Sequence, residues 1–408
     1  MNWKETGIRG GVLAFPVSPF LGGLAIVGVT VWVWWREWRE LLKRPLVWSL
    51  GVFAGLLVLS SFAAIDRSSA FLGLFNFLPF LVVFIAVSSI VRHPFQLRQL
   101  SEAVVLSSIP VVVVGLGQMF LGWNGPIDWG ILLFWPLEKG GAPPDRMSSV
   151  FEYANVLANY ASIIWALGLG LSIEAFQTQR LKRFLLWSGI CLGNSIVLLL
   201  TNSRNAWGVA FACCVAYAVY LGWRWLVAAI ASVATIVLAA AFAPEPFRSP
   251  LRRIVPAYFW ARLSDELHPD RPIEMMRVTQ WTFAWNLGID RPFTGWGLRN
   301  FTALYESQMG LWLGHPHNLL LMLVAETGFL TTLVLCGIVA WVFFRGVQVL
   351  RPLGSIDRLM LFTVMVAFGS IVLFHLFDVT LFDSRINILG WLLLAAIEGV
   401  DRQSPVTS

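Results

Sequence analysis

Residues 314–344 decide the fold class, because Gly314-His315-Pro316-His317-Asn318 stands directly before the apolar run LLLMLVAETGFLTTLVLCGIVAWVFF at 319–344. An apolar run of this length predicts a helix that crosses a bilayer. Two histidines and an amide at its start indicate a polar site at the water boundary, since ionisable groups at a membrane are costly and rarely idle. The alternative is a histidine pair that only forms hydrogen bonds at the interface.

Apolar runs recur along almost the whole chain. Of its 408 residues, 57% are hydrophobic and 13% are charged, whereas a soluble domain is typically about 25% charged. This composition excludes a soluble enzyme with one anchor, and it predicts an all-α polytopic membrane protein with one membrane domain over residues 1–408. The net charge of +6 reflects residues that flank the spans. No basic block interleaved with aromatic residues indicates nucleic-acid binding.

Eleven apolar segments are candidate membrane spans. Pro16 and Pro19 should break the first of them into two short helices, so we predict about twelve crossings with both termini inside. The segments are 11–35, 46–64, 70–91, 103–121, 154–175, 184–200, 205–222, 226–243, 318–344, 359–376 and 385–398.

Basic residues cluster in alternate connections between these spans. The positive-inside rule makes the side that carries them cytoplasmic. Both faces of the membrane are therefore assigned by the sequence. The residues are Arg36, Arg39, Lys43, Arg44, Arg92, Arg98, Arg180, Lys182, Arg183, Arg224, Arg345, Arg351 and Arg358.

The opposite side, periplasmic by this rule, carries a large insert at 244–317 that we expect to be helical. All eight of its cationic side chains are arginine. The planar guanidinium binds phosphate through two hydrogen bonds, so the set favours an anionic, lipid-linked substrate. The alternative is that these arginines only decorate the surface of an outer domain. They are Arg248, Arg252, Arg253, Arg262, Arg271, Arg277, Arg291 and Arg299.

The histidine motif carries the strongest chemical signal. Pro316 suits the first turn of a helix, which would place His317 and Asn318 among the N–H groups that favour an anion. The same positive helix end would keep the histidine neutral and able to accept a proton. Glu326, two turns further on, needs a partner in an apolar helix and either serves the site or only braces the bundle.

Other polar groups flank spans on the outer side. Arg146 precedes Asn155 at the start of one span, and Arg204 lies in the polar connection 201–205. Asp378 and Asp383, with His375 and Arg385, lie at another boundary. Each group alone is a weak signal. Their common location on the outer side is a stronger one, because four separate connections supply polar groups to one membrane surface. The acidic stretch 265–270 is a weak metal candidate, since no second cluster supports it.

On these residues the chain resembles the O-antigen ligase family, whose superfamily also contains O-antigen polymerases and bacterial protein O-oligosaccharyltransferases. The most specific match is His317-Asn318 followed by Glu326-Thr327-Gly328 after a large outer loop. The resemblance covers roughly residues 50–400. The other matching pieces are Arg146 to Asn155, Ser203-Arg204 and Arg291-Pro292-Phe293-Thr294-Gly295-Trp296-Gly297.

The resemblance implies a GT-C-type fold in the bacterial inner (cytoplasmic) membrane, with the active site facing the periplasm. The implied reaction is inverting transfer of a polysaccharide from undecaprenyl diphosphate to a sugar hydroxyl of lipid A–core. It needs no nucleotide sugar, ATP, cofactor or metal ion. The implied partners are undecaprenyl-diphosphate-linked O-antigen, the lipid A–core oligosaccharide and membrane lipids, with no nucleic acid.

For this reaction we expect His317 to be the base or to position the acceptor, and Arg204 and Arg277 to hold the diphosphate with Arg146. A polymerase or a protein O-oligosaccharyltransferase would use the same donor with another acceptor. A transporter of anions or lipids would instead place its charges near the bilayer centre. The remaining expected substrate-binding residues are Asn155, His315, Asn318, Glu326, Arg299, Asp378 and Asp383.

Overall fold

The computed structural model describes residues 3–264 and 272–400. Their regular secondary structure is almost all helix, with very little strand, which confirms the predicted all-α class. The exception within them is a small antiparallel hairpin, β1 (Ile127–Asp128) with β2 (Phe134–Trp135), in the connection 122–153, which was not predicted. The predicted acidic stretch 265–270 and Arg271 lie outside the described residues.

Seven helices precede this hairpin. A short 3-10 helix, Leu74–Asn76, links the fourth and the fifth. The helices are α1 (Trp3–Ala14), α2 (Pro19–Leu42), α3 (Pro45–Phe62), α4 (Arg67–Gly73), α5 (Leu78–Ile90), α6 (Pro94–Leu106) and α7 (Ser108–Phe120).

Eleven further helices follow the hairpin in the described part of the chain. A second 3-10 helix, Ile273–Met275, precedes α14. The helices are α8 (Ala154–Gln177), α9 (Leu181–Leu200), α10 (Arg204–Tyr220), α11 (Arg224–Phe242), α12 (Arg248–Ile254), α13 (Ala257–Leu263), α14 (Arg277–Asp290), α15 (Phe301–Met309), α16 (Leu319–Leu350), α17 (Ser355–His375) and α18 (Ser384–Val400).

Among the described residues, nine helical segments are long and apolar enough to cross a membrane. They are α2, α3, α8, α9, α11, α16 and α17, together with Arg67–Ile90 and Pro94–Phe120, in which two consecutive helices form one span. The chain is therefore an all-helical protein with many candidate spans. The predicted count of twelve membrane crossings stays a prediction. The helices α1, α10 and α18 would bring the nine segments to twelve, and α10 and α18 are shorter, with 17 residues each.

The first apolar segment is broken at the predicted place. The α1 helix ends at Ala14, and α2 begins at Pro19 after Ser18, whose side chain accepts a hydrogen bond from the Leu21 N–H. A proline in the first turn costs no hydrogen bond. The α2 helix continues beyond the predicted end of this span at residue 35, through Arg36 and Arg39 to Leu42.

The α8 helix lies at the centre of the bundle, with α9 and α17 packed against it. Of its apolar window, 78% of the residues are buried, against 28% in α9. This explains why its polar residues Asn159 and Ser162 are fully buried. A central helix that begins at Ala154 brings the preceding segment 146–153 over the end of the bundle.

One end of the bundle pairs its charges internally. Arg98, near the start of α6, lies 3.1 Å from Glu102 and 3.5 Å from Glu174 at the end of α8. Arg183, near the start of α9, lies 3.4 Å from Glu102. The buried Arg44 faces Glu398 at 3.7 Å. The basic residues assigned to the cytoplasmic side thus include a set that is neutralised within the protein.

The described chain divides into two compact units, Met1–Ala210 with Trp281–Ser408 and Phe211–Gln280. The predicted insert 244–317 therefore begins in the second unit and ends in the first. Within the second unit, Arg252 stacks 3.8 Å above the ring of Trp260 and donates a hydrogen bond to the Ala240 carbonyl oxygen at 3.0 Å. This arginine of the insert serves the local structure.

Candidate functional site

Four connections of the first unit meet at the other end of the bundle. The Arg146 Nε donates to the Thr201 carbonyl oxygen at 2.8 Å, which joins the segment before α8 to the loop after α9. Asn205 Nδ2 donates to the Phe374 carbonyl oxygen at 2.8 Å. Asn318 Nδ2 donates to the Leu376 carbonyl oxygen at 3.0 Å. These bonds tie the ends of α9 and α17 to the starts of α8, α10 and α16.

A histidine–aspartate pair lies where these connections meet. The Nδ1 atom of His317 is 2.9 Å from Oδ1 of Asp378. The other carboxylate oxygen of Asp378 accepts a hydrogen bond from Asn155 Nδ2 at 2.6 Å, and the Val379 N–H donates to Oδ1 at 2.9 Å. Three groups thus hold this carboxylate, whose side chain is 5% exposed.

The environment of Asp378 keeps its carboxyl ionised. Burial alone would raise its pKa, but the hydrogen bond to His317 and the charges of His315 and His317 lower the pKa to about 2. An ionised carboxylate only accepts hydrogen bonds. The proton of a neutral His317 ring therefore lies on Nδ1, and Nε2 carries the lone pair, on a side chain that is 32% exposed.

The backbone around His317 differs from the prediction. We expected His317 and Asn318 in the first turn of the helix, but α16 begins at Leu319. Asn318 is the N-cap, whose Oδ1 accepts a hydrogen bond from the Leu321 N–H at 3.0 Å. His317 lies outside the helix with φ +52°, a left-handed conformation that residues other than glycine adopt mainly at functional sites.

The second histidine lies beside the pair. His315 Nδ1 accepts a hydrogen bond from the His317 N–H at 3.2 Å, and its Nε2 lies 3.7 Å from Oδ1 of Asp378. The two imidazole rings meet edge to face, with their centroids 4.6 Å apart. The contact of His315 with Asp378 was not predicted from the sequence.

Arg146 and Asn155, two predicted substrate-binding residues, belong to the same network. Arg146 Nη2 donates to Asn155 Oδ1, while Asn155 donates to Asp378. A chain of hydrogen bonds therefore runs from Arg146 through Asn155 and Asp378 to His317. Two nitrogens of Arg146 bind the protein, which favours a role in positioning this chain over a role in gripping diphosphate.

The predicted arginines Arg204 and Arg277 are placed differently. Arg204 is exposed at the start of α10, in the 201–205 connection that bonds to Arg146 and Phe374. It thus lies in a segment that borders the His317 network. Arg277 is the first residue of α14 and belongs to the second unit, so its part in the site stays a prediction.

Glu326 and Arg299, also predicted to bind substrate, lie in a second junction. Glu326 is 3% exposed, and its Oε1 accepts a hydrogen bond from the Phe301 N–H at 3.3 Å, at the start of α15. Arg299 is exposed, with its Cγ 3.3 Å from the position a Cβ on Gly73 would take. This geometry favours the bracing role that we left open for Glu326.

The junction joins the two glycine-containing motifs of the resemblance. The Trp296 and Gly297 N–H groups donate to the carbonyl oxygens of Ala325 and Glu326 at 3.0 and 2.8 Å. Gly328 interrupts α16 with φ +79° and ψ 169°. A Cβ there would lie 2.7 Å from the Pro292 carbonyl oxygen. The segment after Pro292 is thus seated on the kink of α16.

Asp383 lies in a third arrangement. It forms a two-pronged ion pair with Arg385, with Oδ2 2.8 Å from Nη2. Arg385 also donates to the Val150 carbonyl oxygen at 2.9 Å and stacks 4.1 Å above Phe151. Both charged side chains are nearly buried, so the pair fixes the segment before α8 to the start of α18. This geometry favours a structural role over the predicted binding of substrate.

Sequence reasoning missed two supports of the site. The Gln118 Oε1 accepts the N–H groups of Ser148 and Ser149 at 3.1 and 2.8 Å, and Asn159 Nδ2 donates to Thr380 Oγ1 at 2.7 Å. Both are polar residues inside apolar spans. Such residues usually face a partner in the bundle, and this signal was available in the sequence.

The described architecture is that of an all-helical protein with many membrane spans and a polar site at one end. The family model described as O-antigen ligase matches residues 189–336. The match runs from α9 into α16 and contains Arg204, His317 and Glu326. Over these residues the chain is similar to the O-antigen ligase family.

Two further comparisons add no argument. No curated protein matches the chain. The chain is similar to one in a solved structure, "Structural coordination of polymerization and crosslinking by a peptidoglycan synthase complex", at 17% identity, over 98% of each chain, with a TM-score of 0.41.

Proposed function

We propose that this protein transfers a glycan from undecaprenyl diphosphate to a sugar hydroxyl of lipid A–core, with His317 as the base. The single observation that carries the proposal is the His317–Asp378 pair. The carboxylate holds the ring proton on Nδ1 and leaves Nε2, on a half-buried side chain, as a proton acceptor. A base oriented by a buried carboxylate is suited to activating a hydroxyl nucleophile.

The reaction inverts the anomeric carbon. The acceptor oxygen bonds to that carbon while the bond from the carbon to the diphosphate oxygen breaks. Nε2 of His317 takes the hydroxyl proton, and the resulting imidazolium is stabilised by Asp378 at 2.9 Å. The electron pair of the broken bond leaves with undecaprenyl diphosphate. We expect this step to require no metal ion.

The leaving diphosphate needs cationic partners. Arg204, exposed beside the His317 network, is the best placed of the three predicted arginines. A guanidinium can bind two phosphate oxygens at once. Arg277, the first residue of α14, stays a proposed partner of the diphosphate on the strength of the sequence alone. Arg146 would act indirectly, by holding Asn155 and thereby Asp378.

The sequence supports the location. The network joins the connections that the positive-inside rule places on the periplasmic side of the inner membrane, whereas Arg98 and Arg183 lie on the other. We propose a GT-C-type fold with about twelve crossings, one membrane domain and a periplasmic insert at 244–317. The charges of the site lie at helix ends, which disfavours the transporter alternative.

Reconstitution tests this proposal. Purified protein in vesicles with undecaprenyl-linked glycan and lipid A–core should yield glycan-extended lipid A–core. His317→Ala should lower transfer by about 10²–10⁴-fold, the usual range for general base catalysis, while the variant inserts normally. Near wild-type transfer by purified His317→Ala would refute the base assignment.

The acceptor separates the alternatives. A polymerase would extend one lipid-linked glycan with another, and a protein O-oligosaccharyltransferase would require a polypeptide acceptor. Each should therefore proceed without lipid A–core. Deletion of a ligase should remove surface polysaccharide while the lipid-linked polymer accumulates, and absence of that accumulation would argue against transfer as the function.

A further inference from the structure

Three ligand atoms of the kind that zinc prefers lie together at the His317 network. One atom from each of His315, His317 and Asp378 lies within 4.8 Å of the other two. Asp378 Oδ1 lies 2.9 Å from His317 Nδ1 and 3.7 Å from His315 Nε2. Imidazole suits zinc, whereas magnesium and calcium take oxygen ligands.

The separations fit tetrahedral coordination. Zinc bonds of about 2.0–2.1 Å place neighbouring ligand atoms about 3.3 Å apart. The two separations at Asp378 lie on either side of that value. The carboxylate is already oriented by Asn155 Nδ2 at 2.6 Å, and such outer partners strengthen metal sites. The two histidine side chains are 21% and 32% exposed, which gives an ion in solution access.

We propose that His315, His317 and Asp378 bind a zinc ion and that this ion inhibits the transferase. Inhibition rests on the proposed function, whereas binding does not. Zinc on Nδ1 of His317 displaces its proton to Nε2, the atom that must accept the hydroxyl proton. Zinc on Nε2 of His315 moves the ring proton of His315 to its Nδ1. That proton breaks the 3.2 Å hydrogen bond that Nδ1 accepts from the His317 N–H. His315 is therefore the weakest of the three ligands.

Binding is tested on the purified full chain, stripped with EDTA and dialysed. Cobalt(II) should give the visible absorption of a low-coordinate site, and zinc should displace it, whereas magnesium should not. His315→Ala, His317→Ala and Asp378→Asn should each weaken zinc binding by roughly tenfold or more, since even outer partners contribute 10–100-fold. His93→Ala, an exposed histidine ahead of α6, is the matched control. Equal binding by all five proteins would overturn the site.

Inhibition is tested by transfer at increasing free zinc. Wild-type transfer should fall with zinc and recover with EDTA. For His315→Ala, measured relative to its own zinc-free rate, half-inhibition should require roughly tenfold more zinc. Zinc that binds without lowering transfer, or that raises it, would overturn the inhibition. A protein without any transferase activity would refute the proposed function, and the cobalt spectrum would still decide the site.

Discussion

Asp378→Asn is the sharpest test of the His317–Asp378 pair, because it changes one oxygen for a nitrogen in a buried position. Asp378 now accepts from both His317 Nδ1–H and Asn155 Nδ2. An asparagine has one acceptor oxygen and one NH₂ group. If its oxygen keeps His317 Nδ1–H and the Val379 N–H, its NH₂ faces the Asn155 donor, and the negative charge that stabilises the imidazolium is lost. If its oxygen faces Asn155 instead, its NH₂ faces Nδ1 and the Val379 N–H and forces the His317 proton onto Nε2. The ring then presents a donor where the acceptor hydroxyl needs a base.

The size of the expected loss in turnover follows from the changed protonation and charge at the His317–Asp378 pair. Loss of the correctly protonated base should lower turnover by about 10²–10⁴-fold. The acceptor's binding should change less, because the side-chain shape is conserved. Initial rates in the reconstituted system measure this effect, with helix content and gel-filtration profile as folding controls. Asp357→Asn, an exposed aspartate in the first turn of α17 at its opposite end, is the matched control.

A second substitution can restore the pattern of donors and acceptors. In Asn155→Asp/Asp378→Asn, the new aspartate accepts from the NH₂ group of residue 378, whose oxygen is again available to Nδ1–H. The new carboxylate also meets Arg146 Nη2, which now donates to Asn155. The double variant should turn over at least about tenfold faster than Asp378→Asn, since a hydrogen bond to a charged group contributes about 1.5–3 kcal/mol. Turnover of Asp378→Asn above half that of wild type would refute the reasoning.

Four other expectations test the site and its support. Arg204→Lys should lower turnover more than it lowers protein level, because an ammonium cannot reproduce the two-pronged contact. Arg204→Ala should lower turnover further. Full activity of the alanine variant would remove Arg204 from the mechanism. In a cysteine-free background, Arg204→Cys should react with an impermeant thiol reagent from the periplasm, and labelling only from the cytoplasm would contradict the topology. Activity should survive EDTA, and rescue of a chelated enzyme by magnesium or manganese would reverse the metal-free assignment. Gly328→Ala should destabilise the protein by on the order of 1–3 kcal/mol, because φ +79° with ψ 169° is accessible essentially only to glycine. Gly337→Ala in the same helix should cost no stability, because a Cβ there meets nothing within 4 Å. Equal melting temperatures of the two variants would contradict this account.

The lowered pKa of Asp378 also predicts a dependence of stability on pH. Its ordinary value is 3.8 and its folded value about 2. A depressed pKa stabilises the folded state above the unfolded value, and this stabilisation is lost as pH falls from about 4 toward 2. The difference corresponds to on the order of 2 kcal/mol. Melting temperatures of wild type and Asp378→Asn should therefore converge over this range, and a constant gap between them would contradict the pairing.

The spans were predictable because their signal is local. The predicted 154–175 and 184–200 correspond to α8 (Ala154–Gln177) and α9 (Leu181–Leu200), since apolar runs report burial in lipid directly. The start of α16 was not predicted correctly. Pro316 and Asn318 both carry start signals for a helix, and the side chain of Asn318 prevailed by capping the Leu321 N–H.

The partners of the polar residues could not be predicted in the same way. His317 and Asp378 are 61 residues apart, and Asn155 and Asp378 are 223 apart. Sequence placed all three at one membrane surface through the alternation of basic connections, but nothing local says which carboxylate faces the histidine. Asp378, Asp383 and Glu326 were equivalent candidates until the packing of α8 against α17 joined two of the connections.

The packing assigns these three carboxylates to different tasks. Asp378 accepts from a histidine and an asparagine, Asp383 is neutralised by Arg385, and Glu326 caps the backbone at the start of α15. The motif that carries the resemblance therefore has two parts with separate physical reasons. His317-Asn318 supplies the proposed base and a helix cap, whereas Glu326-Thr327-Gly328 supplies the kink on which the loop after Pro292 is seated. Because α16 carries both parts, its N-terminal turns fix the distance between the proposed base and the outer loop. A substitution at Gly328 should therefore lower transfer only by changing that distance.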